Sequence, residues 1–462
     1  MSRKIKFTIV GAGSVCFCPA TLGDILLNES IRTADLEIAL MDIAEDALRV
    51  SEAFAREAVK ASGRDVKLSA TTCLAQALEG ADFVVSAIEV DRYRYWSMDF
   101  HIPRRYGFRQ VYGENGGPGG MFHTLRNIGP TLEIARTMEK VCPDAWLLNY
   151  TNPEAKLVEA VNKLTRTKVV GLCHGEGMGV DQLSAILELP KEELETRVYG
   201  LNHFGWFTRI VRKSTGEDLY PLLREKEDKM DWLAHWDELG LSRLMFRAFG
   251  LYPYPGTNHI GEYIAWSDEM LASSKIQYFF DPVRSDPWHG GKVPEFVYSF
   301  SGNPTARDLY PREKPEGNGD PGFEASFRLK DGQLRGSGEY GIPIAEAIFF
   351  DKPRSIGAVN MPNHGLVSNL PEGMVVEVPA LVDGSGNHPV ASDKPLPAAI
   401  AHMISTQGVI AQLLIEAYTE KSRHKLLQAM LIDPTVSTYN NAVALINEMC
   451  ERQAEILPRL SW

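Results

Sequence analysis

The sequence predicts an α/β fold in which a doubly wound parallel sheet is followed by a second, α+β domain. Three observations carry this. Short apolar runs alternate with helical patterns through residues 1–195, Gly11-Ala12-Gly13-Ser14 closes the first run, and aromatic residues become dense once the alternation stops. Short, continuously apolar strands separated by helices imply a parallel sheet covered on both faces.

The elements follow in order. Residues 4–10 form the first β-rich run, and residues 19–27 read as a helix after the glycines. Residues 36–41 make a second buried strand closed by Asp42, and residues 45–61 combine helical periodicity with strong helix formers. Residues 83–88, 145–148 and 169–172 are further apolar runs bounded by polar or turn residues, with helices over 131–141 and 154–164 between them. Past Glu195, Trp206, Trp232, Trp236, Tyr252, Tyr254 and Trp266 crowd the chain. Residues 301–340 are rich in Gly, Pro and charge and read as a long surface loop or lid. Residues 375–382 read as a strand, and 397–420 and 434–457 as long amphipathic helices.

Composition narrows the function classes. The chain has 462 residues, 44% hydrophobic and 23% charged, with 60 acidic against 48 basic side chains and a formal net charge of -12. That usage belongs to a globular protein of two or three domains, not to a disordered or fibrous chain. Nucleic acids and anionic membranes call for a basic face, so neither is expected as a partner. No stretch reaches the roughly 20 apolar residues of a membrane helix. The apolar run after Arg3 and Lys4 ends at Gly11 and reads as a buried strand, not a secretory leader. Six cysteines in so long a chain suggest reduced thiols and a cytoplasmic setting.

Gly11, Gly13 and Ser14 lie between a strand and a helix, the context of a phosphate-binding turn. Glycines let the backbone approach a pyrophosphate, and the helix N-terminus supplies unpaired N–H groups. Asp42 ends the second strand, where a carboxylate accepts hydrogen bonds from a ribose and repels a 2′-phosphate, so NAD is expected over NADP. Cys16 stands where a third glycine is usual, and Asp42 lies 29 residues beyond Gly13, longer than the common spacing. A tight strand–helix turn without ligand is the plainer reading. The expected architecture is thus Rossmann-type, like lactate and malate dehydrogenases, with residues 1–195 binding NAD and 196–462 forming a substrate domain. Asn149-Tyr150-Thr151-Asn152-Pro153 follows a later strand, where side chains face the cofactor crevice. Alone it marks an NAD enzyme handling a hydroxyl, or a turn with a capping Asn.

Cys173-His174-Gly175 ends another strand on the same edge, and Asn202-His203 follows after a helix-sized segment. A thiolate and an imidazole in one crevice suit a divalent transition metal with open positions, although a packed Cys and a core His fit the spacing equally. Arg92, Arg94, Arg104, Arg105, Arg109 and Arg126 cluster after the fourth strand, either to clamp an anionic sugar or to form salt bridges in a loop. Trp206 and Trp266 either stack on a sugar or pack the core.

With these motifs the chain resembles glycoside hydrolase family 4, the NAD- and divalent-metal-dependent glycosidases. The resemblance runs through Gly11 to Ser14, Asp42, Glu114-Asn115-Gly116-Gly117-Pro118-Gly119-Gly120, Asn149 to Pro153, Gly171 to Gly175, Gly200 to His203, Val359 to Asn363 and Val376 to Pro379. It implies hydrolysis without the usual carboxylate pair. NAD takes hydride from the sugar C3, a base removes the acidified C2 proton with Mn2+ as Lewis acid, and the aglycone is eliminated. Water then adds, and the hydride returns.

Residue by residue, the resemblance implies Cys173 and His203 as metal ligands and Asn152 as a contact to substrate hydroxyls, with Asn149 and Arg92 as further substrate contacts. The base falls at Glu262 or Tyr263. The leaving-group acid is His174 or Glu114. Phosphoglycoside-specific members carry Asp or Asn after the metal Cys. Cys173-His174-Gly175 instead resembles the branch acting on unphosphorylated α-glucosides or α-glucuronides, while the stretch from Glu114 to Gly120 looks like the α-galactosidase type. The implied substrate is an unphosphorylated α-glucoside, α-galactoside or α-uronide, and the implied assembly a homodimer or homotetramer. An NAD-dependent dehydrogenase of a hydroxy acid or sugar is the alternative, and it needs no Cys173/His203 pair.

Overall fold

The computed structural model of the chain describes residues 3–230, 236–267 and 327–462. Its first half runs β1 (Lys4–Val10), α1 (Phe17–Leu27), β2 (Asp35–Met41), α2 (Glu45–Ser62), β3 (Val66–Thr71), α3 (Leu74–Leu78), β4 (Phe83–Ser86), α4 (Arg92–Arg105), α5 (Gly117–Val141), β5 (Trp146–Asn149), α6 (Glu154–Leu164), β6 (Lys168–Gly171) and α7 (Gly175–Leu187). The second half adds β7 (Leu194–Leu201), β8 (Phe204–Arg212), β9 (Tyr252–Tyr254), β10 (Arg354–Pro362), β11 (Val375–Asp383) and β12 (Gly386–Pro389).

The first six strands are parallel in the order β3-β2-β1-β4-β5-β6, the doubly wound arrangement expected from the alternation. Apart from the exposed first residues of β1 and β2, β1, β2 and β4 are buried on both faces, because helices cover both. The sheet does not end at β6. It continues through antiparallel β10, β11, β7, β8 and β9, so residue 195 falls inside β7 and one sheet runs through both halves. In this sheet Val10, Ser86, Asn149, Gly171, Asn360, Glu377 and Gly200 stand opposite one another in a single row.

Several expectations change. The helix expected at 131–141 is the end of α5, whose opening Gly-Pro-Gly-Gly hides helical periodicity although Pro118 is tolerated in the first turn. The helix expected at 434–457 is shorter, Tyr439–Arg452, and a separate helix, Arg423–Ile432, precedes the Asp433-Pro434 break. The helix Ala398–Glu420 is long and apolar enough to span a membrane by length and composition, contrary to expectation. Half of that window is buried in the fold, and its apolar face packs on α5 and α6. Of the expected lid, residues 301–326 lie outside the described residues. Within 327–340, Ser337 donates its N–H to Asp24 of α1 at 2.7 Å.

Candidate active site

Two cavities adjoin at the carboxyl ends of the parallel strands. The first, about 500 Å³, is lined by Gly11, Gly13, Ser14, Asp42 and the exposed Ile43. The second, about 340 Å³, is lined by Ser14, Glu89, Arg92, Glu114, Asn152, Cys173, His174 and His203 among others. Ser14, Ala87, Ile88, Glu89 and Arg92 belong to both walls, so the cavities form one crevice.

The turn after β1 has the shape a pyrophosphate needs. Gly11 takes φ +84°, and a Cβ there would collide with the Ala87 carbonyl oxygen. The Gly13 N–H donates to Asp42 Oδ2 at 2.7 Å, and Ala44 N–H donates to Oδ1 at 2.9 Å. Asp42 is therefore fixed by backbone donors at the end of β2, with lone pairs left for a ribose. Ser14 Oγ accepts from Phe17 N–H in the first turn of α1. A glycine turn, a helix N-terminus and an anchored carboxylate along one crevice fit an extended dinucleotide.

Cys173 follows β6 at the mouth of α7, and Gly175 N–H lies 3.4 Å from its Sγ. Burial pushes the thiol pKa up, with Glu377 and Glu339 adding to it. His203 arrives from another direction, in the two-residue turn Asn202-His203 between β7 and β8, at φ +62°. A left-handed histidine is uncommon, and such backbone recurs at functional sites. Burial, with His259 alongside, holds its imidazole well below the ordinary pKa, so the ring is neutral. A soft sulfur and a neutral imidazole on one cavity fit a borderline divalent cation. Among the described residues no group of three or more His, Cys, Asp or Glu is arranged to hold a metal.

The remaining wall is acidic. Arg92 bridges Glu114 at 2.8 Å and Glu89 at 3.3 Å, and its guanidinium stacks 4.4 Å from the Trp96 ring. Burial alone raises Glu89, yet His123, Arg92 and Arg126 hold it down to about 2. His174 Nδ1 meets Glu339 Oε1 at 3.0 Å.

Not every expected residue reaches the cavity. Asn152 lines it, whereas Asn149 is buried in the sheet row beneath and donates to Thr151 O at 3.1 Å. Glu262 and Tyr263 are buried behind the wall and do not line it. Glu262 Oε1 accepts the N–H of Glu114 at 2.5 Å and of Asn115 at 2.8 Å, and the Tyr263 hydroxyl donates to Asn202 O at 3.3 Å. Trp206 is fully buried against Phe204 and Phe249, and Trp266 is not a lining residue. Of the arginine cluster, Arg94, Arg105 and Arg126 pair with Glu455, Glu448 and Asp99, and Arg104 donates to Gln110 O. Cys16, which stands where a third glycine is usual, lines the cavity. Glu89, Tyr112, His259 and Glu339 line it as well, and sequence reading missed all four. Only Glu89, just past an apolar strand, sat where a search of strand ends finds it.

Comparison with known proteins is consistent across the chain. Residues 6–189 match the model of family 4 glycosyl hydrolases, and residues 198–436 match that of the family 4 C-terminal domain. An alpha-glucosidase of Erwinia rhapontici is 32% identical, covering 97% of this chain and 98% of its own. An alpha-galactosidase of Bacillus subtilis (strain 168) is 31% identical, covering 96% of each. The fold is similar to that of a 6-phospho-alpha-glucosidase from gut microorganisms in complex with NAD and Mn2+. That likeness has a TM-score of 0.78 at 23% identity and covers 99% of this chain and all of the other.

Proposed function

The chain belongs to glycoside hydrolase family 4, and from that membership we propose that it hydrolyses an unphosphorylated α-glycoside with NAD and a divalent cation, Mn2+. The carrying observation is that Ser14 of the glycine turn, Asn152, Cys173 and His203 line one cavity. A simple dehydrogenase has no use for the last pair.

When bound, the two cofactors supply a hydride acceptor and a Lewis acid at the sugar. Gly11, Gly13, Ser14 and Asp42 bind the dinucleotide. Residues 1–195 thus carry the cofactor, and residues 196–462 close the sugar side of the crevice. Cys173 Sγ and the His203 ring would hold the cation, which would supply a Lewis acid beside the sugar hydroxyls. Asn152 orients those hydroxyls through its amide. His174, held at Nδ1 by Glu339, presents Nε2 as proton donor to the leaving-group oxygen, and Glu114 is the second acid in the same wall.

Charge balance supports a neutral sugar. Among the described lining residues Arg92 is the one Arg or Lys, and two carboxylates already share it. A phosphate or uronate has to displace one of them, against a third carboxylate at Glu339. An α-glucoside or α-galactoside fits better than an α-uronide. Exposed Val409, Leu431, Ile432 and Tyr439 on the C-terminal helices support a homodimer or homotetramer. The six free cysteines support a cytoplasmic setting.

The test is aglycone release from aryl α-glucosides, α-galactosides, α-uronides and their 6-phosphates with Mn2+, NAD and a thiol reductant. Release from a neutral glycoside, lost with a chelator or without NAD, is expected, together with a primary isotope effect for substrate deuterated at C2 or C3. NADH accumulating without release rejects hydrolysis, and preference for a 6-phosphate rejects the substrate assignment.

A further inference from the structure

Asn115 is held from two sides. Glu262 Oε1 takes its N–H at 2.8 Å together with that of Glu114 at 2.5 Å, while Lys156 Nζ donates to its carbonyl oxygen. All of these groups are buried. The two backbones touch here, because a Cβ at Gly116 would lie 2.5 Å from the Glu262 carbonyl oxygen. The side-chain Nδ2 of Asn115 then lies 3.0 Å from Nδ1 of His203. Next in sequence, Tyr263 donates to the carbonyl of Asn202, the residue before His203. Glu262 and Tyr263 thus brace His203 from two flanks without entering the cavity.

We infer that Glu262 is a positioning residue for the cation site: it fixes the turn of Glu114, Asn115 and Gly116 so that the Asn115 amide holds His203 by Nδ1. A half-turn of the Asn115 amide brings its oxygen to Nδ1–H in exchange for the 3.3 Å contact of Nδ2 with Glu114 Oε2, and this leaves the lone pair on Nε2, the form that binds a divalent cation. Partners of a ligating imidazole change metal affinity by about 10–100-fold. A general base must come within hydrogen-bond reach of the proton it takes, and this carboxyl spends Oε1 on two backbone donors behind the wall. The inference rests on Cys173 and His203 forming the cation site.

The experiment is Mn2+ titration followed by electron paramagnetic resonance, with NAD affinity measured in parallel. It compares the unaltered protein with Cys173→Ser, Glu262→Gln, Glu262→Met, Asn115→Ala and the double variant Glu262→Met/Asn115→Ala. If Cys173→Ser binds Mn2+ as the unaltered protein does, the cation site itself is misassigned. Given loss in Cys173→Ser, Glu262→Gln keeps a carbonyl oxygen for both N–H groups and is expected to retain Mn2+ affinity. Glu262→Met and Asn115→Ala should each lose about tenfold, non-additively in the double variant, with NAD affinity unchanged. Unchanged Mn2+ affinity in Glu262→Met overturns the inference. So does Glu262→Gln that binds Mn2+ normally but no longer exchanges the C2 hydrogen, since that marks a base. If Glu262→Met loses NAD as well, Asn115→Ala decides, and unchanged Mn2+ affinity there overturns the inference.

Discussion

At the scale of single residues, the site is built from groups whose ionic state is set by burial. His203 is neutral because burial and His259 disfavour its charge, while Glu89 stays ionised because His123 and Arg92 outweigh burial. Cys173→Ser exchanges a soft donor for a weak one, and aglycone release should fall at least about 100-fold with folding intact. Retained turnover at saturating Mn2+ would contradict its assignment as ligand. Glu262 offers a stability test. Burial, with Glu114 beside it, raises its carboxyl from 4.5 to about 8, so the native state keeps a proton that the unfolded chain releases. Its stabilising contribution is full below pH 4.5 and is lost as pH climbs through about 8. The gap corresponds to about 5 kcal/mol at most. Thermal unfolding across pH 5–9 should fall more steeply for the unaltered protein than for Glu262→Gln, which cannot ionise; parallel slopes reject the raised value.

At the scale of elements, strands aim the chemistry and turns complete it. β1, β2, β4, β5 and β6 each deliver residues from their carboxyl ends, and the β7–β8 hairpin adds His203 from the antiparallel half. Behind the hairpin, Tyr254 reaches over Gly205 to donate to Glu377 Oε1 at 2.6 Å. A Cβ at Gly205 collides with the Tyr254 ring. Gly205→Ala should therefore displace that hydrogen bond and cost about 1–3 kcal/mol in urea unfolding, as overpacking does; no loss would show that the ring moves freely. The parallel strands were legible because continuous apolar runs between helices have few other solutions. β3 was not, although Val66–Thr71 alternates apolar with polar residues, because none of its residues is fully buried and it lacks the continuous apolar run of its neighbours. The start of α5 was hidden by glycines that a helix tolerates only because the turn before it needs them.

At the scale of the whole molecule, the crevice separates two binding tasks along one sheet. Asp42 and the glycine turn belong to the larger cavity, and Cys173 and His203 to the smaller. Chelation should therefore abolish aglycone release while leaving NAD affinity within about twofold, read by fluorescence titration, because no group of the glycine turn is also a metal donor. A parallel loss of NAD binding would show that the two sites are coupled.

The sequence by itself determined the parallel sheet, the glycine turn, Asp42 and the pairing of Cys173 with His203 as candidates, because periodicity and motif spacing are local properties. Only the tertiary structure decided which side chains share a cavity. Glu89, Tyr112, His259 and Glu339 come to one cavity from distant segments, and Glu262, three residues after the cavity-lining His259, turns inward to hold backbone N–H groups. That choice depends on which buried polar atoms find partners across the sheet. It is a long-range balance of desolvation against hydrogen bonding, and no window of sequence contains it.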